Sequence, residues 1–189
     1  LRVGLSIAVS RTMTVAVVAP LFTLDKVAPS IRTGEHVELL RELKSGGLDL
    51  MLSESSPEDS ATRGLSATEI HKVELVAICA PEFTPAADWS NAWLVHYRPT
   101  TPFRHDVEQF LCDNQLAPKF GGEADDGLLL IEAATQKGRI TIVPKALSAS
   151  AVECNRLKLL RPVEPSTCVI HALYPDTLSA KSAVAALKS

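Results

Sequence analysis

Apolar and polar positions in LRVGLSI (residues 1–7) alternate, which places Leu1, Val3, Leu5 and Ile7 on one face of a strand. Ser10, Arg11 and Thr12 end that run. Over residues 13–22 the apolar positions take helical spacing, with Val17, Val18, Leu21 and Phe22 as a stripe and Pro20 as a kink or early stop. A second helix is predicted after Gly34 and Glu35, with Val37, Leu40 and Leu43 on one face and Glu38, Arg41 and Glu42 off it. Gly46 and Gly47 then stop the helix and reverse the chain, because glycine takes positive φ without a Cβ penalty. Residues 48–52, LDLML, enter a buried strand. This strand-helix-strand-helix-strand order with short connections is the grammar of a parallel α/β sheet.

The same grammar returns after Pro81. Strands are predicted at residues 92–95, 119–121 and 139–143, the last stopped by Pro144, and helices at 107–112 and 128–135. Lys137 and Gly138 close the second of these helices much as Ser45 and Gly46 close the earlier one. A last strand is expected at 168–174, followed by a helix capped by Ser179 and carrying Ala180, Val184 and Leu187. Residues 74–80 read as a joining segment and residues 53–60 as a polar surface loop. The chain therefore reads as two α/β lobes.

Composition narrows the function. Apolar residues make up 46% of the 189 positions and aromatics only 5%, so the core is built from Ala, Val, Leu and Ile, as α/β layering favours. The net charge is −3, with no run of Lys and Arg to grip nucleic acid. Cys79, Cys112, Cys154 and Cys168 lie far apart, with no CxxC pair and no zinc spacing, which suits a reduced cytoplasmic protein. No apolar stretch approaches the roughly 20 residues that span a bilayer. Opening inside a strand pattern without an initiator Met, the chain reads as a piece of something longer.

Candidate chemistry collects where strands end and helices begin, because helix N-termini expose free N–H groups suited to anions. Ser10, Arg11 and Thr12 occupy such a junction: the hydroxyls and amides of Ser10 and Thr12 receive a carboxylate or similar anion, or Ser10 or Thr12 caps the helix, or both. HYRPTTPFRH, residues 96–105, follows a strand end with two Pro, two Thr and two Arg. A rigid loop with forked guanidinium donors suits ligand selection, which singles out Tyr97, Arg98, Thr100 and Thr101, unless the arginines are simply solvated. In GGEADDG, residues 121–127, Asp125 is a further ligand-binding candidate. Asp125 and Asp126 equally suit a helix start, while a cation site with Glu123 lacks EF-hand spacing. His36, His71, His96, His105 and His171 are scattered without metal-ligand spacing, and no nucleophile elbow, Walker loop or dinucleotide fingerprint occurs. Neither a catalytic constellation, a metal site nor a cofactor is implied.

Four stretches in order, LRVGLSIAVSRT with Pro20-Leu21-Phe22, ELLRELKSGGLDLMLSE, GRITIVPKAL and VIHALYPDTLSAKSAVAAL, resemble the effector-binding domain of LysR-type transcriptional regulators. The likeness spans nearly the whole chain and departs from the family at residues 28–35, where the second strand is usually longer and more apolar. It implies a periplasmic-binding-protein-like fold of type 2: two Rossmann-like lobes, residues 1–76 plus 161–189 and residues 77–160, with a small effector in the cleft between them, for which the strand-exit chemistry above favours an anion. It also implies dimers, tetramers in the full-length protein, and DNA binding only through an N-terminal winged helix-turn-helix domain that this chain does not show. A transporter's solute-binding protein and an enzyme on the same scaffold are the rival readings. The first needs an export signal; the second needs a perturbed acid, base or nucleophile.

Overall fold

The computed structural model describes residues 1–7, 17–24, 27–54, 62–99, 101, 103–164 and 166–188. The chain divides into two compact units, Leu1–Lys72 with Cys168–Ser189, and Val73–Thr167. The sequence placed these divisions near Val76 and Arg161. They fall elsewhere because residues 75–79 and 158–163 are strands of the second unit's sheet.

The first unit is built on β1 (Arg2–Ser6), β2 (Ser30–Gly34), β3 (Leu50–Ser53), β4 (Ser66–Lys72) and β10 (Val169–Tyr174), in the order β2-β1-β3-β10-β4. β1 is parallel to both β2 and β3, while β10 is antiparallel to β3 and β4. Alternation predicted a strand with one buried face at the N-terminus. Instead Val3, Gly4, Leu5 and Ser6 are all buried, because β1 is an inner strand of the sheet. Helix α1 (His36–Lys44) covers the sheet with Leu39 and Leu43, which cluster with Leu48, Met51 and Leu173. The expected face is therefore turned: Leu43 is buried, Leu40 is partly buried, and Val37 stands in solvent. Its end follows the expectation, with Gly46 at φ 77° and Gly47 N–H donating to Glu42 O at 2.8 Å. The aspartate in LDL also finds its reason. Asp49 accepts from the backbone N–H of Arg2 at 2.7 Å and from its guanidinium at 2.7 and 3.2 Å, fastening the start of β1 beside β3. That pairing with Arg2 holds the Asp49 carboxyl below its ordinary range.

Much of the expected helix at 13–22 lies outside the described residues. Val17 and Val18 are buried and pass into a short 3-10 helix (Ala19–Thr23), where Pro20 sits in the first turn and needs no kink. Phe22 leaves the expected stripe and is exposed. Of the expected surface loop at 53–60, Ser53 is instead the buried last residue of β3, and 55–60 lie outside the described residues. The last helix, α5 (Leu178–Leu187), is capped not by Ser179 but by Thr177, whose Oγ1 accepts from Ala180 N–H at 3.3 Å.

The second unit repeats the plan with β5 (Leu75–Cys79), β6 (Trp93–Tyr97), β7 (Lys119–Ala124), β8 (Arg139–Pro144) and β9 (Lys158–Val163), in the order β7-β6-β8-β5-β9. β6 is parallel to β7 and β8, and β5 is antiparallel to β8 and β9. The supposed joining segment is thus a sheet strand whose five residues are all buried. Helices α2 (Phe103–Asp113), α3 (Gly127–Ala134) and α4 (Lys145–Glu153) follow β6, β7 and β8. Pro144 does not merely stop β8: it is the N-cap of α4, a place that suits a residue of fixed φ.

Candidate functional site

The parallel register of β6 on both neighbours brings the exits of β6, β7 and β8 to one edge of the second sheet. In open α/β sheets this carboxyl edge is where ligand-binding loops gather. Tyr97, the last residue of β6, is wholly buried. Its ring lies 5.4 Å from that of Phe103, and a Cβ on Gly127 would come within 3.3 Å of its hydroxyl and 2.4 Å of Leu147 Cδ2. Glycine at the first residue of α3 therefore makes room for Leu147 first, and for the tyrosine hydroxyl second.

Arg98 follows with a side chain more than half exposed. Its N–H donates to Ala124 O at 3.1 Å, which joins the β6 exit to the β7 exit. Thr101 N–H donates to Arg98 O at 3.0 Å, and Arg104 N–H to Thr101 O at 3.0 Å, so the loop closes onto the first turn of α2. Arg104 strengthens that closure by donating from Nη1 to Tyr97 O at 2.7 Å. Both guanidinium groups meet acid: Glu123 lies 3.9 Å from Arg98 and 3.8 Å from Arg104, which also pairs with Glu108.

Asp125 is exposed on the same edge. Its neighbour Asp126 is the cap of α3, accepting from Leu128 N–H at 2.7 Å and Leu129 N–H at 3.4 Å. The structure thus gathers Tyr97, Arg98, Thr101 and Asp125 at one sheet edge. Ser10, Arg11, Thr12 and Thr100 lie outside the described residues. Among the described residues no group of three or more His, Cys, Asp or Glu is placed to hold a metal ion.

The first unit has a matching edge that sequence reasoning missed. β1 and β3 both end on Leu-Ser, and both serines, Ser6 and Ser53, are buried. Ser6 Oγ donates to Glu54, and Ser53 Oγ is hydrogen-bonded to His36 Nδ1 at 2.9 Å. The signal was present as a hydroxyl closing two otherwise apolar strand runs. A buried hydroxyl needs a partner, and here each holds a half-buried titratable side chain at the strand exit.

Two α/β units of the periplasmic-binding-protein-like type 2 fold, with polar groups at the exits of their parallel strands, define an effector-binding architecture. The sequence matches the LysR substrate binding domain family over residues 1–189, and the chain belongs to that family, the effector-sensing domain of LysR-type transcriptional regulators. Solved structures agree in fold at low identity. The apo regulatory domain of HypT from Salmonella typhimurium is 13% identical at TM-score 0.71, covering 100% of this chain and 93% of its own. The regulatory domain of CcmR from Synechocystis PCC6803, in complex with 2-PG, is 12% identical at TM-score 0.69, covering 100% and 95%. The effector-binding domain of QuiR in complex with shikimate is 16% identical at TM-score 0.65, covering 100% and 92%. No curated protein sequence matches the chain. No helix among the described residues is long and apolar enough to cross a membrane.

Proposed function

We propose that this domain senses a small organic anion, with Arg98 and Thr101 as its ligand-selecting residues in the second unit and Tyr97 and Asp125 shaping the same loop edge. The observation that carries the reading is the exposed guanidinium of Arg98, set at the exit of a parallel strand by the bond from its own N–H to Ala124 O. The ligand class is supported by relatives of this fold held with shikimate and with 2-PG. Ser10, Arg11, Thr12 and Thr100 join the proposal from sequence alone.

The role is binding, not catalysis. In the regulator the domain works in the cytoplasm as a homodimer, with tetramers in the full-length protein, and reaches DNA through an N-terminal helix-turn-helix domain. Dimerisation is supported by apolar side chains left in solvent on both units, Val37 on α1 and Phe120 on the edge strand β7.

The test is a thermal-shift screen of the 189-residue chain against organic acids, amino acids and inorganic ions. A binder at 100 times its Kd stabilises the fold by about 2.7 kcal/mol. Arg98→Gln and Thr101→Ala are expected to weaken an organic-acid hit about tenfold or more while leaving unliganded melting unchanged. Hits confined to cations, or an acid that binds both variants unchanged, would overturn the reading.

A further inference from the structure

The chain leaves the second unit at Thr167/Cys168, and a buried carboxylate holds that exit. Asp106 is 3% exposed and belongs to the first turn of α2. Its Oδ2 accepts from Thr167 N–H at 2.8 Å, its Oδ1 accepts from Thr167 Oγ1 at 2.6 Å, and Ser166 Oγ reaches Oδ2 at 3.4 Å. The chain's other passage, at Lys72/Val73, is tied differently. Glu74 O accepts from Lys145 N–H at 2.8 Å, and the side-chain pair of Glu74 and Lys145 is exposed on both partners, where an ion pair contributes little.

The turn of α2 that carries Asp106 is the turn to which the effector loop is fastened. Arg104, two residues earlier, holds Tyr97 O and is bonded through its own N–H to Thr101 O. From the β6 exit to residue 167 the link runs through the hydrogen bonds of Arg104, the short stretch of helical backbone that joins it to Asp106, and the hydrogen bonds of Asp106. We infer that Asp106 is a positioning residue of the sensor, joining the effector loop and the chain's exit from the second unit into one body, so that a ligand held at the loop is reported at the exit. Removing the carboxylate uncouples them without touching either the loop or the sheet. The consequence for sensing rests on the function proposed above; the mechanical link does not, and it is tested without a ligand.

Amide hydrogen exchange of the 189-residue chain provides that test. The informative change is made at the exit and read at the loop. Thr167→Val removes the hydroxyl that bonds Asp106 while keeping the N–H, and Thr167→Ser restores a hydroxyl. In Thr167→Val, exchange at Thr101 and Arg104 is expected to rise about tenfold, the scale of one hydrogen bond to a charged acceptor. β8 should be unchanged, and Thr167→Ser should return the loop towards the parent rate. Asp106→Asn should loosen both ends together. Loosening confined to residues 166–168, with Thr101 and Arg104 at parent rates in Thr167→Val and in Asp106→Asn, would overturn the link, as would no change at either end. A screen that finds no ligand would remove the effector proposal and leave this result standing.

Discussion

The two units share one plan and differ in the chemistry at its edge. Each sheet sets three parallel strands side by side, β2-β1-β3 or β7-β6-β8, then an antiparallel strand, then an edge strand. In the first unit the antiparallel strand is β10, from the end of the chain; in the second it is β5, the first strand after the crossing. At the strand exits the first unit places hydroxyls bonded to Glu54 and His36, while the second places guanidinium groups facing Glu123. The sheet order is fixed by apolar strands that must be buried, whereas charged side chains at the exits, such as Arg98 and Glu123, reach solvent and are free to vary. Likeness of plan therefore says nothing of likeness in ligand contacts.

The hardest test of the comparison is to damage one core at a time. Leu39 in the first unit and Leu130 in the second are both fully buried. Each change to Ala is expected to destabilise by about 2–5 kcal/mol in urea unfolding. Hydrogen exchange should speed up within the damaged unit first. If Leu39→Ala loosens β6 as much as β3, the two sheets do not behave as separate folding units.

A second difference concerns histidine. His36 in the first unit is bonded to Ser53, whereas His96 in the second is 5% exposed, accepts Tyr97 N–H at Nδ1 over 2.8 Å, and has no hydrogen-bond partner at Nε2 among the described residues. Burial, with a smaller push from Arg104 and opposition from Glu108, brings the His96 pKa down to about 4. The unfolded chain takes up that proton near pH 6.5. The stabilisation from neutral His96 is therefore full above about pH 6.5 and is lost as pH falls towards 4, by about 3 kcal/mol in all. His96→Gln should show a shallower loss of stability between pH 7 and 4.5 than the parent chain. Parallel curves would mean that His96 is not held neutral.

How much of this was legible follows from what each residue had to do. Gly46, the LDL run and the alternation after Pro81 were readable because turn, burial and period speak locally. β4 was missed because Ser66-Ala67-Thr68-Glu69 is an edge strand with half its positions in water, and β9 because Pro162 reads as a breaker, though edge strands accept it. The misturned face of α1 arose because Val37 is apolar yet exposed. At the candidate site, the loop of residues 97–101 was legible from its Pro, Thr and Arg content. Its acidic partner Glu123 was not, since only the β6–β7 register brings it there, and the same holds for His36 beside Ser53.

Helix capping gives a smaller test. Asp126 accepts two backbone N–H groups at the start of α3, so Asp126→Ala is expected to cost about 1 kcal/mol, read as a lower urea midpoint. An unchanged midpoint would show that the neighbouring Asp125 takes over the cap.

The smallest effect is expected at the corresponding place in the first unit. Glu35 is the N-cap of α1 and makes no side-chain cap bond, so the first amides of that helix lack the acceptor that Asp126 supplies to α3. Its backbone already lies in the extended region of a cap, at φ −67° and ψ 142°, the region that Asp126 (φ −105°, ψ 121°) and Thr177 (φ −117°, ψ 152°) occupy where they do cap. A shorter side chain here can therefore reach back without moving the chain. Glu35→Asp is expected to raise stability by about 0.5 kcal/mol, within the range of a cap gained at an exposed helix start. If instead it lowers stability, the uncapped amides of α1 already have another partner, and the two units differ in how they use a helix N-terminus as well as in their strand exits.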